Sequence, residues 1–215
     1  RYKRLIEYQD KNYALDYYNF LDNVVKYDMF KEKLFSKAVA KNLYKLMAIK
    51  DEYEVARLYT NGNFFHNLHQ QFDGDFKIKL HLAPPLFSKF DKSLGRPKKI
   101  IFSQWIFTIL SFLSKIKKIR GTYLDVFSYS KERKLEKSIL EEYKKQINSL
   151  KNQINSMNYD VAVKIANLPD TIKGYGLIKE KNYFTAKDRE VSLIKKLRNT
   201  PAQKKLKRAL HIKVI

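Results

Sequence analysis

Four charged residues crowd one short stretch: Asp51, Glu52, Glu54 and Arg57 fall within two helical turns. Carboxylates at such spacing can serve as general acid and base, or meet cations across an interface. Glu54 and Arg57 stand three apart, and an exposed helical pair of that kind contributes only about 0.2–0.5 kcal/mol. The group therefore reads as a polar cluster of structural or interdomain type. His66 and His69 have the spacing of a helical metal-binding pair, with Asp73 and Asp75 across a turn, but no third ligand is evident. They read as satisfied or exposed histidines. His81 lies between Leu80 and Leu82 and so points away from their apolar side. Gly174-Tyr175-Gly176 resembles the start of a nucleotide loop, but Lys179 stands where the third glycine belongs and no strand precedes it. A turn with glycine at positive φ is the better reading. Asp125 and Glu132 cannot be paired as acid and base by spacing alone, and the serines show no nucleophile–base pattern. No catalytic residue is assigned.

The chain has no cysteine. That excludes disulfides, thiolate zinc sites, a cysteine nucleophile and cluster ligation by this segment. The formal charge is +22. Lysine far outnumbers arginine, and Ile, Asn and Tyr are abundant, so part of the charge fits an AT-rich codon bias. One basic cluster is Lys115, Lys117, Lys118 and Arg120. A second is Lys195, Lys196 and Arg198, continuing through Lys204, Lys205, Lys207 and Arg208. These read as a solvated face and tail, or as a seat for an anionic partner. No helix-turn-helix, RNP-type strand or zinc finger accompanies the charge, so a free-standing basic nucleic-acid-binding module is only the competing class. The longest apolar run, Trp105 to Leu113, falls short of the ~20 residues that span a bilayer. No secretory signal is visible, and a cytoplasmic location is expected. The chain opens at Arg1 inside an apparent helix, so it is expected to be a piece of something longer.

The elements that must position these residues are mostly helical. Apolar residues at three- and four-residue spacings predict helices over 2–27 and 30–59, the second kinked near Lys50, with a short one over 64–72. Phe76, Ile78, Leu80 and Leu82 alternate with Lys77, Lys79 and His81, the clearest strand, and residues 98–102 suit its partner across a loop over 87–97. A buried helix over 103–116 around Trp105 follows, then one opened by Ser130 and running to about Ile154. Shorter spans at 159–166 and 179–198 complete the set. The expected fold is mainly α (α+β), with a small antiparallel sheet around 76–102. Residues 1–198 are taken as one domain and 199–215 as a basic tail.

Several stretches carry a resemblance. They are Tyr8-Gln9 with Tyr13-Ala14, Lys45–Ala48, Asp51–Leu58, Phe76–Pro85 and Trp105. Then come Arg120-Gly121-Thr122 with Asp125 and Phe127, and Glu132-Arg133-Lys134 with Glu136. Leu168-Pro169, Ile172–Gly176 and Lys179-Glu180 close the series. Order and content resemble the C-terminal domain of indolepyruvate ferredoxin oxidoreductases of the long fused bacterial form, over about Leu5 to Leu197. Two positions depart from that pattern: Lys173 replaces an Arg, and Leu177 replaces a His whose role is therefore absent. The resemblance implies a parent enzyme that oxidatively decarboxylates aryl pyruvates to acyl-coenzyme A and reduces ferredoxin. Thiamine diphosphate, Mg and iron–sulfur clusters would be held by other domains, and none by this segment. It also implies partners: the remaining domains of the polypeptide, ferredoxin and a second protomer. Asp51, Glu52, Glu54, Arg57, His81, Arg120, Glu132 and Arg133 are then interdomain or structural residues. Lys195, Lys196 and Arg198 are candidates for docking the acidic ferredoxin.

Overall fold

Local capping breaks what apolar spacing alone would leave continuous. The computed structural model describes residues 1–84, 90–91 and 96–198. The helix expected over 2–27 is two helices, α1 (Tyr2–Tyr8) and α2 (Lys11–Tyr27). Gln9 leaves helical geometry at φ −132°, and the Asp10 carboxylate accepts the Tyr13 N–H at 2.9 Å to open α2. The second long span likewise divides into α3 (Leu34–Met47) and α4 (Glu52–Thr60), with Asp51 capping α4. Then come α5 (Asn63–Gln71), β1 (Leu80–Leu82), β2 (Phe90–Asp91), β3 (Arg96–Pro97), β4 (Ile100–Phe102) and α6 (Ile106–Lys115). The described residues close with α7 (Lys131–Lys151), α8 (Tyr159–Ala166) and α9 (Gly176–Arg198). Among the described residues, 3-10 turns lie at Lys117–Ile119, Val126–Tyr129 and Leu168–Thr171.

The fold is mainly α with a small antiparallel sheet. The seven-residue alternation over 76–82 yields only three paired residues: Leu80 faces Phe102, His81 faces Ile101 and Leu82 faces Ile100. Part of the loop expected over 87–97 is a second short ribbon, pairing Phe90 with Pro97 and Asp91 with Arg96. The rest of that loop, and the basic tail, lie outside the described residues.

The chain packs as two compact units. The first comprises 1–14 and 48–134, the second 15–47 and 135 onward. In the first, Ala56, Leu80, Ile106 and Leu110 form a core flanked by Tyr59, Ile78, Leu82, Phe102, Phe107 and Leu113. Trp105, expected at the centre of that core, is 55% exposed. The reason is helical phase: Ile106 and Leu110 take the inward face of α6, and Trp105 at its N-cap projects to the other side, edge-on to Phe102 at 5.7 Å.

In the second unit, α3 buries Phe35, Ala38, Val39, Asn42, Leu43 and Met47, a full i, i+3, i+4 stripe. Ile139, Ile172 and Ala186 pack with Leu46, Leu135 and Tyr183. Ser130, which belongs to the first unit, opens α7 as expected, accepting the Arg133 N–H at 3.3 Å. Asp28, fully buried, accepts from Ser36 N (2.9 Å), Ser36 Oγ (2.7 Å) and Tyr159 OH (3.1 Å), which ties the start of α3 to α8.

Candidate functional site

Asp51 is the N-cap of α4, and its Oδ1 accepts the Glu54 N–H at 2.8 Å. The same carboxylate is the focus of a buried network in the first unit. Arg120 reaches it twice, Nε to Oδ2 at 2.5 Å and Nη2 to Oδ1 at 2.9 Å, in the bidentate geometry guanidinium favours. Tyr8 OH donates to Oδ2 at 3.1 Å, and Arg120 Nη1 donates to the Tyr8 carbonyl at 2.6 Å. That carbonyl is free because α1 ends there. The guanidinium lies 3.8 Å above the Tyr8 ring centroid and 5.2 Å from that of Tyr53. The pair is buried, with side chains 10% exposed for Arg120 and 4% for Asp51.

A second buried acid extends the network. Asp125 Oδ1 accepts from Tyr53 OH at 3.0 Å and from Phe127 N at 3.2 Å, and Oδ2 accepts from Gly121 N at 2.8 Å. Gly121 sits at φ +75°, where a side chain would be strained. The 120–129 loop is thus pinned from inside by Arg120, Gly121, Asp125 and Phe127, while Tyr123, Leu124, Val126 and Tyr129 face outward.

The electrostatics follow burial. Desolvation, together with the Asp51 charge, pushes the Tyr8 phenol well above its ordinary range. Desolvation and the hydrogen bond to Asp125 do the same for Tyr53. For Arg120, burial is the largest influence and favours the neutral form, but the Asp51 hydrogen bonds together with the neighbouring Tyr8, Asp51 and Glu54 outweigh it, and the charged form is held more firmly. Glu52 meets Arg133 at 3.4 Å, yet burial still raises its carboxyl, and its Oε2 has no hydrogen-bond partner. Burial, with Arg57 and Arg120 nearby, lowers the Lys117 ammonium, whose Nζ donates to the Glu7 carbonyl.

Of the residues singled out in the sequence, Asp51 and Arg120 join, Glu52 pairs with Arg133, and Glu54 pairs with Arg57 at 2.8 Å. Glu132 lies in the first turn of α7, where a negative charge suits the helix dipole. His81 does not join the network and is exposed on β1. Lys195, Lys196 and Arg198 are exposed in the last turn of α9. His69 Nδ1 contacts the Phe65 carbonyl at 2.7 Å and His66 Nε2 contacts Gln70 at 3.0 Å, both local helical bonds. Gly174 takes φ +95°, as its turn reading requires. Tyr8, Tyr53 and Asp125 are site members that spacing alone did not single out. Their signal was membership in the stretches that carry the resemblance.

In the second unit, Lys45 Nζ donates to the Pro169 carbonyl at 2.6 Å, and Lys179 pairs with Glu136. A small cavity of about 40 Å³ there is lined by Tyr143, Gln146 and Tyr183 among others, room for water molecules.

Among the described residues no three His, Cys, Asp or Glu side chains are placed to hold a metal ion. With no cysteine in the chain, its donors do not fit an iron–sulfur cluster. Among those residues no helix is long and apolar enough to cross a membrane. A family described as "Family of unknown function (DUF6537)" matches residues 1–191. No curated protein and no solved structure matches the chain.

Proposed function

The chain belongs to the DUF6537 family of unknown function, and within it we propose that this segment is an accessory domain of an aryl 2-oxoacid ferredoxin oxidoreductase. The parent would decarboxylate an aryl pyruvate to acyl-coenzyme A and reduce ferredoxin, with thiamine diphosphate, Mg and iron–sulfur clusters held elsewhere in the polypeptide. One observation carries the reading. Residues from several of the stretches behind the resemblance meet: Tyr8, Asp51, Tyr53, Arg120 and Asp125 in the first unit, and Lys45 with Pro169 and Glu136 with Lys179 in the second. Residues shared for a scaffold would behave in this way. Their side chains are spent on one another, and this segment's task is to hold shape and present surface to the cofactor-bearing domains.

The reading frame upstream of Arg1 tests the proposal directly. Thiamine- and cluster-binding motifs are expected in frame, and an immediate start codon would overturn it. Enzymology gives a second check. The full polypeptide should reduce ferredoxin with indolepyruvate, thiamine diphosphate and coenzyme A, and this segment alone should not. Turnover by the segment alone refutes the accessory role. Salt-sensitive binding of DNA or RNA by a chain that lacks cofactor domains would favour the nucleic-acid-binding class instead.

A further inference from the structure

Helix α6, Ile-Phe-Thr-Ile-Leu-Ser-Phe-Leu-Ser-Lys, carries no charge before Lys115. Its inward face supplies Ile106 and Leu110 to the core, with Phe107 and Leu113 beside them. Thr108, Ser111 and Lys115 make a polar side, but the flank between it and the buried face is apolar. Trp105, Ile109 and Phe112 are 55%, 50% and 65% exposed. They stand at i, i+4 and i+7, one stripe about 10 Å long at the 1.5 Å rise of a helix. The i, i+4, i+7 spacing is also the pattern by which a helix anchors in an apolar groove.

We propose that the outer face of α6 is a docking seat for a second protein domain that offers an apolar groove with an acidic rim. Trp105 is the leading anchor. Its contact with Phe102 at 5.7 Å restrains the ring before any partner arrives, which lowers the entropy cost of docking. Phe107, Thr108, Ser111, Phe112 and Lys115 line a shallow cleft along the same helix.

Charge chooses the occupant. From residue 98 to 118 the chain has five lysines, Lys98, Lys99, Lys115, Lys117 and Lys118, and no acidic residue. Lys98, Lys99, Lys115 and Lys118 are exposed. A second copy would bring the same lysines against these, within a chain already at +22. Like charges opposed at an interface work against association. An acidic rim removes that cost and adds steering. Naming the partner as the cofactor-bearing part of the parent polypeptide rests on the function proposed above, whereas the acidic, apolar character of the groove does not.

The test places the photocrosslinker p-benzoylphenylalanine at position 105, 109 or 112 of the full-length polypeptide, with Lys131, exposed at the start of α7, as control. All three stripe positions should crosslink to one acid-rich segment outside residues 1–215, and the control should not. Adding Lys115→Glu and Lys118→Glu should cut that yield on the order of tenfold, equivalent to about 1.4 kcal/mol of lost interaction. Unchanged circular dichroism of each variant guards against misfolding, and the three positions substitute for one another. Crosslinks to a second copy of this chain, to lipid, or none above control overturn the proposal. The outcomes stay separable from the enzymatic reading. Turnover without crosslinks leaves the enzyme and removes the seat. Crosslinks to an acidic segment without turnover leave the seat and remove the enzyme.

Discussion

Replacing Arg120 with methionine removes the charge and donors while keeping most of the volume. Three donations vanish: to Asp51 at 2.5 and 2.9 Å and to the Tyr8 carbonyl at 2.6 Å. Each bond to a charged group contributes about 1.5–3 kcal/mol net. The larger effect is what remains, a carboxylate whose side chain is 4% exposed and which has lost its counter-charge. Breaking a buried pair from one side costs about 3–5 kcal/mol, and that sets the expected loss for Arg120→Met. It is a large share of the roughly 5–15 kcal/mol by which domains are stable. Adding Asp51→Asn should return part of the loss. Asparagine still caps α4 through the Glu54 N–H, since Asn and Asp cap about equally, and no buried charge is then left unpaired. Urea unfolding followed by the fluorescence of Trp105, the chain's one tryptophan, reads the first unit directly. A loss below about 1 kcal/mol for Arg120→Met would place the pair with exposed ion pairs and refute the argument. So would a double variant whose cost is the sum of the singles to within about 0.5 kcal/mol.

Trp105→Ala should shift the unfolding midpoint little, whereas Ile106→Ala, at a 6% exposed position, should cost about 2–5 kcal/mol; circular dichroism melts compare them, and equal losses would restore Trp105 to the core. Burial holds the Glu52 carboxyl above its ordinary 4.5. The folded state therefore binds that proton more tightly than the unfolded state, so stability falls as pH rises from about 4.5 through the folded value. Glu52→Gln should flatten that limb of the urea midpoint profile, and a profile parallel to the parent's would refute the assignment. Under the proposed function, reversing the exposed cations at the end of α9, with Lys195→Glu, Lys196→Glu and Arg198→Glu in the full-length polypeptide, should slow ferredoxin reduction at low ionic strength and spare a small artificial acceptor. Equal effects on both acceptors, or none on either, would leave the cluster as a solvated helix terminus.

Helix content was legible because apolar spacing is a local signal. The spans Tyr159–Ala166 and Lys131–Lys151 lie close to where three- and four-residue periodicity puts them, and the Ser130 cap was visible in the chain. The strand over 80–82 was legible from its alternation, but its length was not, because pairing ends where the partner Ile100–Phe102 ends. The break at Gln9 and Asp10 was hidden, since Leu5, Tyr8 and Leu15 continue one stripe while the Asp10 cap interrupts the backbone. Residue types alone marked Asp51, Glu52, Glu54 and Arg57 as a polar cluster. Spacing could reveal only the pairing of Glu54 with Arg57, three residues apart. The partners of Asp51 and Glu52 are Arg120 and Arg133, 69 and 81 residues away. Trp105 shows the converse: its apolar neighbourhood reads as core, and only the phase of α6 against its packed face turns it outward. Composition and periodicity determined that helices form and which residues are apolar. Which face is covered, and which charge meets which, is decided by tertiary packing, because burial raises the cost of an unpaired charge and thereby selects the partner.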